Sequence, residues 1–226
     1  MQSKCTRRRQ QTGKLITFEG IEGSGKSTHT KLLAEKICAA GRRCVLIREP
    51  GGTQLGEKIR VLLSSKEGEE KMCAQAELLL FMASRAQLVD TVILPALKRG
   101  EHVICDRFLD STAAYQGYAR GCDLELLNKI NSFAVQNILP DLTILLDLEI
   151  KAGFRRLASR NRRNGTGKDR IESECLAFHE KVRNGYLALA RKAPKRFCVI
   201  NADRPMARVQ DDVWKAVRKA SLNGPL

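Results

Sequence analysis

No two of the eight cysteines form a C-x-x-C pair, so neither a zinc site nor a thioredoxin-like motif is written here. Cys44, Cys105 and Cys198 sit inside apolar runs, where a free thiol behaves as a small hydrophobe. Free cysteines of this kind point to a reducing, cytosolic compartment. No apolar stretch looks long enough for a membrane span, which needs about 20 residues. The start shows no secretory h-region. A cytoplasmic protein with no membrane partner is expected. There is no internal repeat and no dividing linker, and 226 residues suit one large domain.

Acid is absent from two basic segments. Residues 1–14 carry five basic side chains and residues 181–196 carry six, neither with any acid. Residues 155–170 add seven basic side chains and only Asp169. These three segments account for more than the formal net charge of +15, so the remainder is slightly acidic. Charge this localised suits a polyphosphate pocket as well as nucleic acid. Segments 1–14 and 181–196 read as solvated faces, and no specific nucleic acid is expected. Residues 1–14 read as a basic tail that frays, and 15–226 as a single domain.

Short β-branched apolar runs mark strands at 15–19, 44–48, 102–106, 142–148 and 197–201. Amphipathic stretches at 27–40, 72–89 and 124–138 mark helices, and another at 205–220 opens with proline. The alternation predicts an α/β fold whose five-stranded, mainly parallel sheet is flanked by helices. Ligands of such sheets sit beyond the carboxyl ends of the strands.

The residues after the first strand carry the strongest signal. Gly20, Ile21, Glu22, Gly23, Ser24, Gly25, Lys26, Ser27 and Thr28 fit G-x-x-x-x-G-K-[ST] between a strand and a helix. The glycines free backbone N–H groups to close around phosphate oxygens. Lys26 can reach the β- and γ-phosphates, and the Ser27 hydroxyl can ligate Mg²⁺. After the third strand, Asp106 stands where P-loop proteins place an acid near Mg²⁺. Arg107 puts a forked cation beside it. Asp110 or Ser111 is a helix-cap candidate, with Thr112 and Tyr115 three apart on one helical face. After the second strand, Arg48 leaves toward the cleft and Pro50, Gly51 and Gly52 make an irregular turn. Phe81 and Arg85, four apart on a helix, suit a flat base. Residues 155–170 read as a mobile basic lid that can close on a transferring phosphoryl group.

Together these stretches resemble bacterial-type thymidylate kinases, over nearly the whole chain from Leu15 onward. The resemblance rests on Phe18–Thr28, on Arg48-Glu49-Pro50-Gly51-Gly52-Thr53, and on residues 80–87. It extends to Asp106-Arg107-Phe108 with Ala114-Tyr115-Gln116-Gly117, and to Asp169-Arg170-Ile171-Glu172. It implies a P-loop nucleoside monophosphate kinase fold, a homodimer, and transfer of the γ-phosphate of ATP to dTMP with Mg²⁺. The P-loop and Lys26 would hold ATP. Arg48 and Arg107 would grip the dTMP phosphate. Phe81 would stack on thymine, Arg85 would donate to its O4, and Thr112 would bond N3. Tyr115 would crowd C2′ of the sugar, and Glu22 would serve the sugar hydroxyl or the metal shell. Pro50 and Gln116 complete the acceptor site. Gly23 stands where related P-loops carry arginine, so the catalytic arginine would come from the lid: Arg160, Arg162 or Arg163, with Arg170 nearby. No histidine among His29, His102 and His179 reads as a general base, and an ionised acceptor phosphate needs none.

Overall fold

The computed structural model describes residues 13–65, 71–165, 167 and 169–220. Five parallel strands form one sheet: β1 (Leu15–Glu19), β2 (Cys44–Arg48), β3 (His102–Asp106), β4 (Leu142–Asp147) and β5 (Phe197–Asn201), ordered β2-β3-β1-β4-β5. β1 is central and buried along its whole length. A parallel strand covered on both faces has no solvent face to alternate toward, so LITFE reads as a continuous run. β1 pairs with β3 through Phe18↔Asp106 and with β4 through Glu19↔Leu145. The P-loop and the Asp106-Arg107 corner therefore leave the sheet side by side.

α1 (Lys26–Ala39) follows the P-loop, and α2 (Gln54–Ser64) follows the Pro-Gly-Gly turn. α3 (Ala74–Leu88) runs through a π turn at Val89–Ile93 into α4 (Leu94–Lys98). α5 (Leu109–Thr112) widens into a second π segment, Ala113–Ala119, followed by α6 (Leu124–Ala134). α7 (Ile150–Asn164), α8 (Leu176–Lys192) and α9 (Met206–Ala220) complete the chain. The largest core cluster joins Phe18, Ile144 and Leu146 of the sheet to Val182 and Tyr186 of α8 and Val213 of α9. A second joins Leu15, Val103 and Cys105 to Leu88, Val89 and Ile93.

The helical run Ala74–Lys98 corrects one expectation. By length and composition it could cross a membrane, with 25 residues and a hydropathy of 1.4 over its most apolar window. Here 39% of that window is buried inside the fold. Leu88, Val89 and Ile93 are wholly buried, and Glu77 and Arg85 find charged partners inside the fold.

Two further expectations are corrected. Neither Asp110 nor Ser111 caps a helix: Phe108 precedes α5, and Asp110 is buried against Arg196 at 2.6 and 2.8 Å. Segment 181–196 is not merely a solvated face. Arg183 grips Asp147 of β4 at 2.7 Å, and Arg196 donates to Thr143 of β4 at 2.6 Å as well as to Asp110 of α5, so both tie α8 and its exit to the sheet. Of the expected tail, residues 1–12 lie outside the described residues. Lys14 is anchored to Asp141 at 2.8 Å.

Candidate active site

A cleft of about 870 Å³ opens at the carboxyl ends of the strands. Its floor is the P-loop. Gly20, Gly23 and Gly25 have φ of 138°, 75° and 92°, a region that side chains with a Cβ avoid. A Cβ on Gly23 would stand 2.3 Å from the Gly153 carbonyl oxygen, and one on Gly153 would stand 2.6 Å from that of Glu22. The loop and α7 touch backbone to backbone there.

Lys26 donates to the carbonyls of Gly20 (2.9 Å) and Ile21 (2.8 Å). Burial, reinforced by the neighbouring Arg107, lowers its ammonium to a pKa of about 8. The Ser27 hydroxyl donates to Asp106 at 2.5 Å. These two side-chain oxygens are adjacent and open to the cleft, and they are of the hard donor type that could hold Mg²⁺ alongside phosphate oxygens. Among the described residues no cluster of three or more His, Cys, Asp or Glu offers a separate metal cage.

Arg107 adopts a left-handed backbone, φ 71°, a strained conformation that the surroundings must hold. Glu19, buried at the end of β1, supplies much of that hold. It accepts from Phe108 N–H (2.8 Å), the Ser111 hydroxyl (2.6 Å) and Tyr186 (2.9 Å). Burial and nearby Asp110 raise its carboxyl to about 7. The Arg107 guanidinium then donates to Gly20 O (3.1 Å) and to Glu22 (2.9 Å), and it lies 5.1 Å from the Tyr115 ring centre. Glu22 also accepts from the Tyr115 hydroxyl at 2.6 Å. Burial opposes its charge, but Arg107, His179, Lys26 and Tyr115 outweigh burial and hold its carboxyl far below the ordinary range.

Arg85 is the largest side chain buried to within 2% exposure. Its Nε and one terminal nitrogen meet Glu49, the closest contact being 2.6 Å. Thr112 accepts at 2.9 Å, Asn131 at 2.7 Å and the Phe108 carbonyl at 3.1 Å. Its five N–H groups thus all have acceptors, so a base carbonyl must share an N–H already in use. Arg85, Phe81, Thr112, Tyr115, Gln116 and Pro50 all line the cleft. Gln116 donates to Glu77 at 2.6 Å. Arg48 is half-exposed and paired with Glu57 at 2.8 Å.

In the lid segment, Arg155, Arg160 and Arg163 line the cleft. Arg160 donates to Glu172 at 2.7 Å. Arg162 is exposed and does not line the cleft. Arg170 reaches back to Glu77 at 2.6 Å and to the Leu63 carbonyl at 3.0 Å, fastening the lid's far end to α2 and α3. Thr166 and Lys168 lie outside the described residues.

A profile of the family "Thymidylate kinase" matches residues 18–213. The chain belongs to the thymidylate kinase family. Its P-loop without arginine and its arginine-rich lid are of the bacterial type. The thymidylate kinase of Pelotomaculum thermopropionicum is 49% identical over 208 residues, covering 92% of this chain and 94% of that protein. That of Desulfovibrio desulfuricans is 50% identical over 193 residues, covering 84% and 88%. The crystal structure of thymidylate kinase from Ehrlichia chaffeensis superposes with a TM-score of 0.72 at 35% identity, covering 91% of this chain and 99% of that one.

Several residues that line or brace the cleft of this thymidylate kinase escape a reading of the sequence. Glu19 looks like the last residue of a strand, Glu49 like a turn residue and Asn131 like part of a helix surface. Arg60 of α2 lines the cleft and donates to the Pro50 carbonyl at 3.0 Å. α8 backs the cleft: Phe178 and Tyr186 each pack edge-on against Tyr115, which lines it. The spacing Phe178, Val182, Tyr186 marks one helical face, but only the fold shows what that face meets.

Proposed function

We propose that this cleft moves the γ-phosphate of ATP onto dTMP, giving dTDP and ADP, through positioning and charge stabilisation alone. The carrying observation is the juxtaposition of the Lys26 loop with Arg107 and the buried Arg85–Glu49 pair in one cleft. ATP phosphates replace the Gly20 and Ile21 carbonyls as partners of Lys26, with the P-loop N–H groups around them. Arg107 and Arg48 hold the acceptor phosphate, whose ionised oxygen attacks without a base. Phe81 stacks on thymine, while Arg85 and Thr112 address its O4 and N3. Tyr115 stands against C2′. Arg160 and Arg163 serve the transferring group, whose charge spreads over its equatorial oxygens. Ser27 and Asp106 would hold Mg²⁺, which when bound neutralises phosphate charge.

Arginine only donates hydrogen bonds, so the amino group of cytosine meets a surface of donors. Loss of one methyl, as in dUMP, forfeits only about 10–200-fold. The working form is a homodimer in the cytoplasm. Leu79 of α3 and Leu126 and Phe133 of α6 are large exposed apolar residues, Phe133 85% so. They support a partner subunit on that face.

The test is ADP formation from ATP and Mg²⁺ with dTMP, dUMP, dCMP and AMP each offered alone. dTMP is expected to stand first, dUMP next, and dCMP near background. Equal rates with dCMP and dTMP would overturn the base-reading roles of Arg85 and Thr112.

A further inference from the structure

We propose that His179 is a positioning residue for Glu22: its Nδ1–H holds the second carboxylate oxygen and so sets the carboxylate that faces the acceptor. The inference rests on the reading of Glu22 as part of the dTMP pocket.

The two carboxylate oxygens of Glu22 are in unlike surroundings. Oε1 takes the Arg107 and Tyr115 hydrogen bonds. Oε2 is buried and makes no aligned hydrogen bond among the described residues, and the same is true of both ring nitrogens of His179. These orphans face each other, with Nδ1 of His179 3.3 Å from Oε2. Buried polar atoms are rarely left unpaired. Contacts in a nucleotide-free site are often short of ideal alignment and tighten when substrate arrives.

The imidazole is well placed to act as a fixed strut. His179 is wholly buried. Phe154 of α7 and Phe178 of α8 clamp its ring edge-on, with centres 4.9 and 5.3 Å away. Beside it, Gly153 of α7 meets the Glu22 backbone. His179 therefore stands where the P-loop, the helix leading into the lid and α8 converge. A carboxylate fixed through both oxygens presents its remaining lone pairs in one direction, which is what recognition of a single substrate hydroxyl or amide requires.

The test separates this role from packing. Asparagine places an amide N–H close to where Nδ1 stood, whereas glutamine places one near Nε2. Both remove the ring, so both lose the clamp, and thermal melts should show similar losses. The dTMP dependence at saturating ATP should differ. His179→Gln is expected to raise KM for dTMP about tenfold, the scale of one hydrogen bond to a charged group. Its kcat should change less than about threefold, and His179→Asn should keep both constants within about threefold of wild type. In the Glu22→Gln background, His179→Gln should add no further loss, because the two residues act as one unit. Equal KM values for His179→Asn and His179→Gln would overturn the proposal, as would full additivity with Glu22→Gln. If Glu22→Gln raises KM and His179→Gln does not, the strut alone is wrong. If Glu22→Gln leaves KM unchanged, the pocket role of Glu22 fails and the strut with it.

Discussion

Replacing Glu49 with glutamine isolates how the acceptor wall is held. The substitution is nearly isosteric but removes the one carboxylate that pairs with the Arg85 guanidinium among the described residues. The Glu49 side chain is 3% exposed and that of Arg85 1%, so water cannot take over. Thr112, Asn131 and the Phe108 carbonyl remain as acceptors, but they are neutral. Breaking a buried ion pair by removing one partner costs about 3–5 kcal/mol. In a domain of this size each kcal/mol shifts Tm by about 2–4 °C, so a fall of about 6–20 °C is expected. Replacing both partners, Glu49→Met with Arg85→Met, should lose less than Glu49→Gln, because no charge is left stranded. Turnover of dTMP should be lost in the double variant whatever its stability. Urea denaturation with a dTMP assay on each variant measures both effects. A loss under about 1 kcal/mol for Glu49→Gln would refute the reasoning. So would a double variant that loses the full sum of the single effects.

Lys26 carries its charge only below about pH 8, because burial and then Arg107 lower its ammonium. The kcat/KM for ATP, which reports the free enzyme, should fall as pH rises through about 8. Stability should run the other way: between about 8 and the ordinary lysine value the unfolded chain binds the extra proton, so unfolding becomes harder as pH rises. A Lys26→Met variant should lose at least about 100-fold in kcat and lack both trends in pH titrations of rate and melting. Gly153→Ala should push α7 away from the P-loop, since the new Cβ would lie 2.6 Å from the Glu22 carbonyl oxygen. A helix-interior Gly→Ala change otherwise stabilises by about 1 kcal/mol, so a drop in both Tm and dTMP turnover confirms the close approach. A rise in Tm with full activity refutes it.

Strand positions were legible because a sheet covered on both faces demands continuous apolar runs. Four of five observed strands have the bounds the runs suggest, and β4 ends one residue earlier, at Asp147. The P-loop was legible because its chemistry is local: glycines, lysine and serine act within nine consecutive residues. Arg85 with Phe81 was legible as a pair at helical spacing, but not as a donor set already saturated by Glu49, Thr112, Asn131 and Phe108. Those partners come from the β2 turn, the β3 corner, α5 and α6, and no local pattern links them.

The histidines show the same division. His29, His102 and His179 read alike along the chain. The fold buries His179 3.3 Å from Glu22, whereas His29 lines the cleft and meets Gln210 of α9 at 2.7 Å. By itself the sequence determined the strand and helix periods, the phosphate loop and the family pattern, because each depends on spacing within a few turns of chain. Only the tertiary structure decided which charges are paired, which carboxylates are buried and which helix backs the pocket. Those outcomes depend on desolvation and on partners distant in sequence, which meet only when the core has closed.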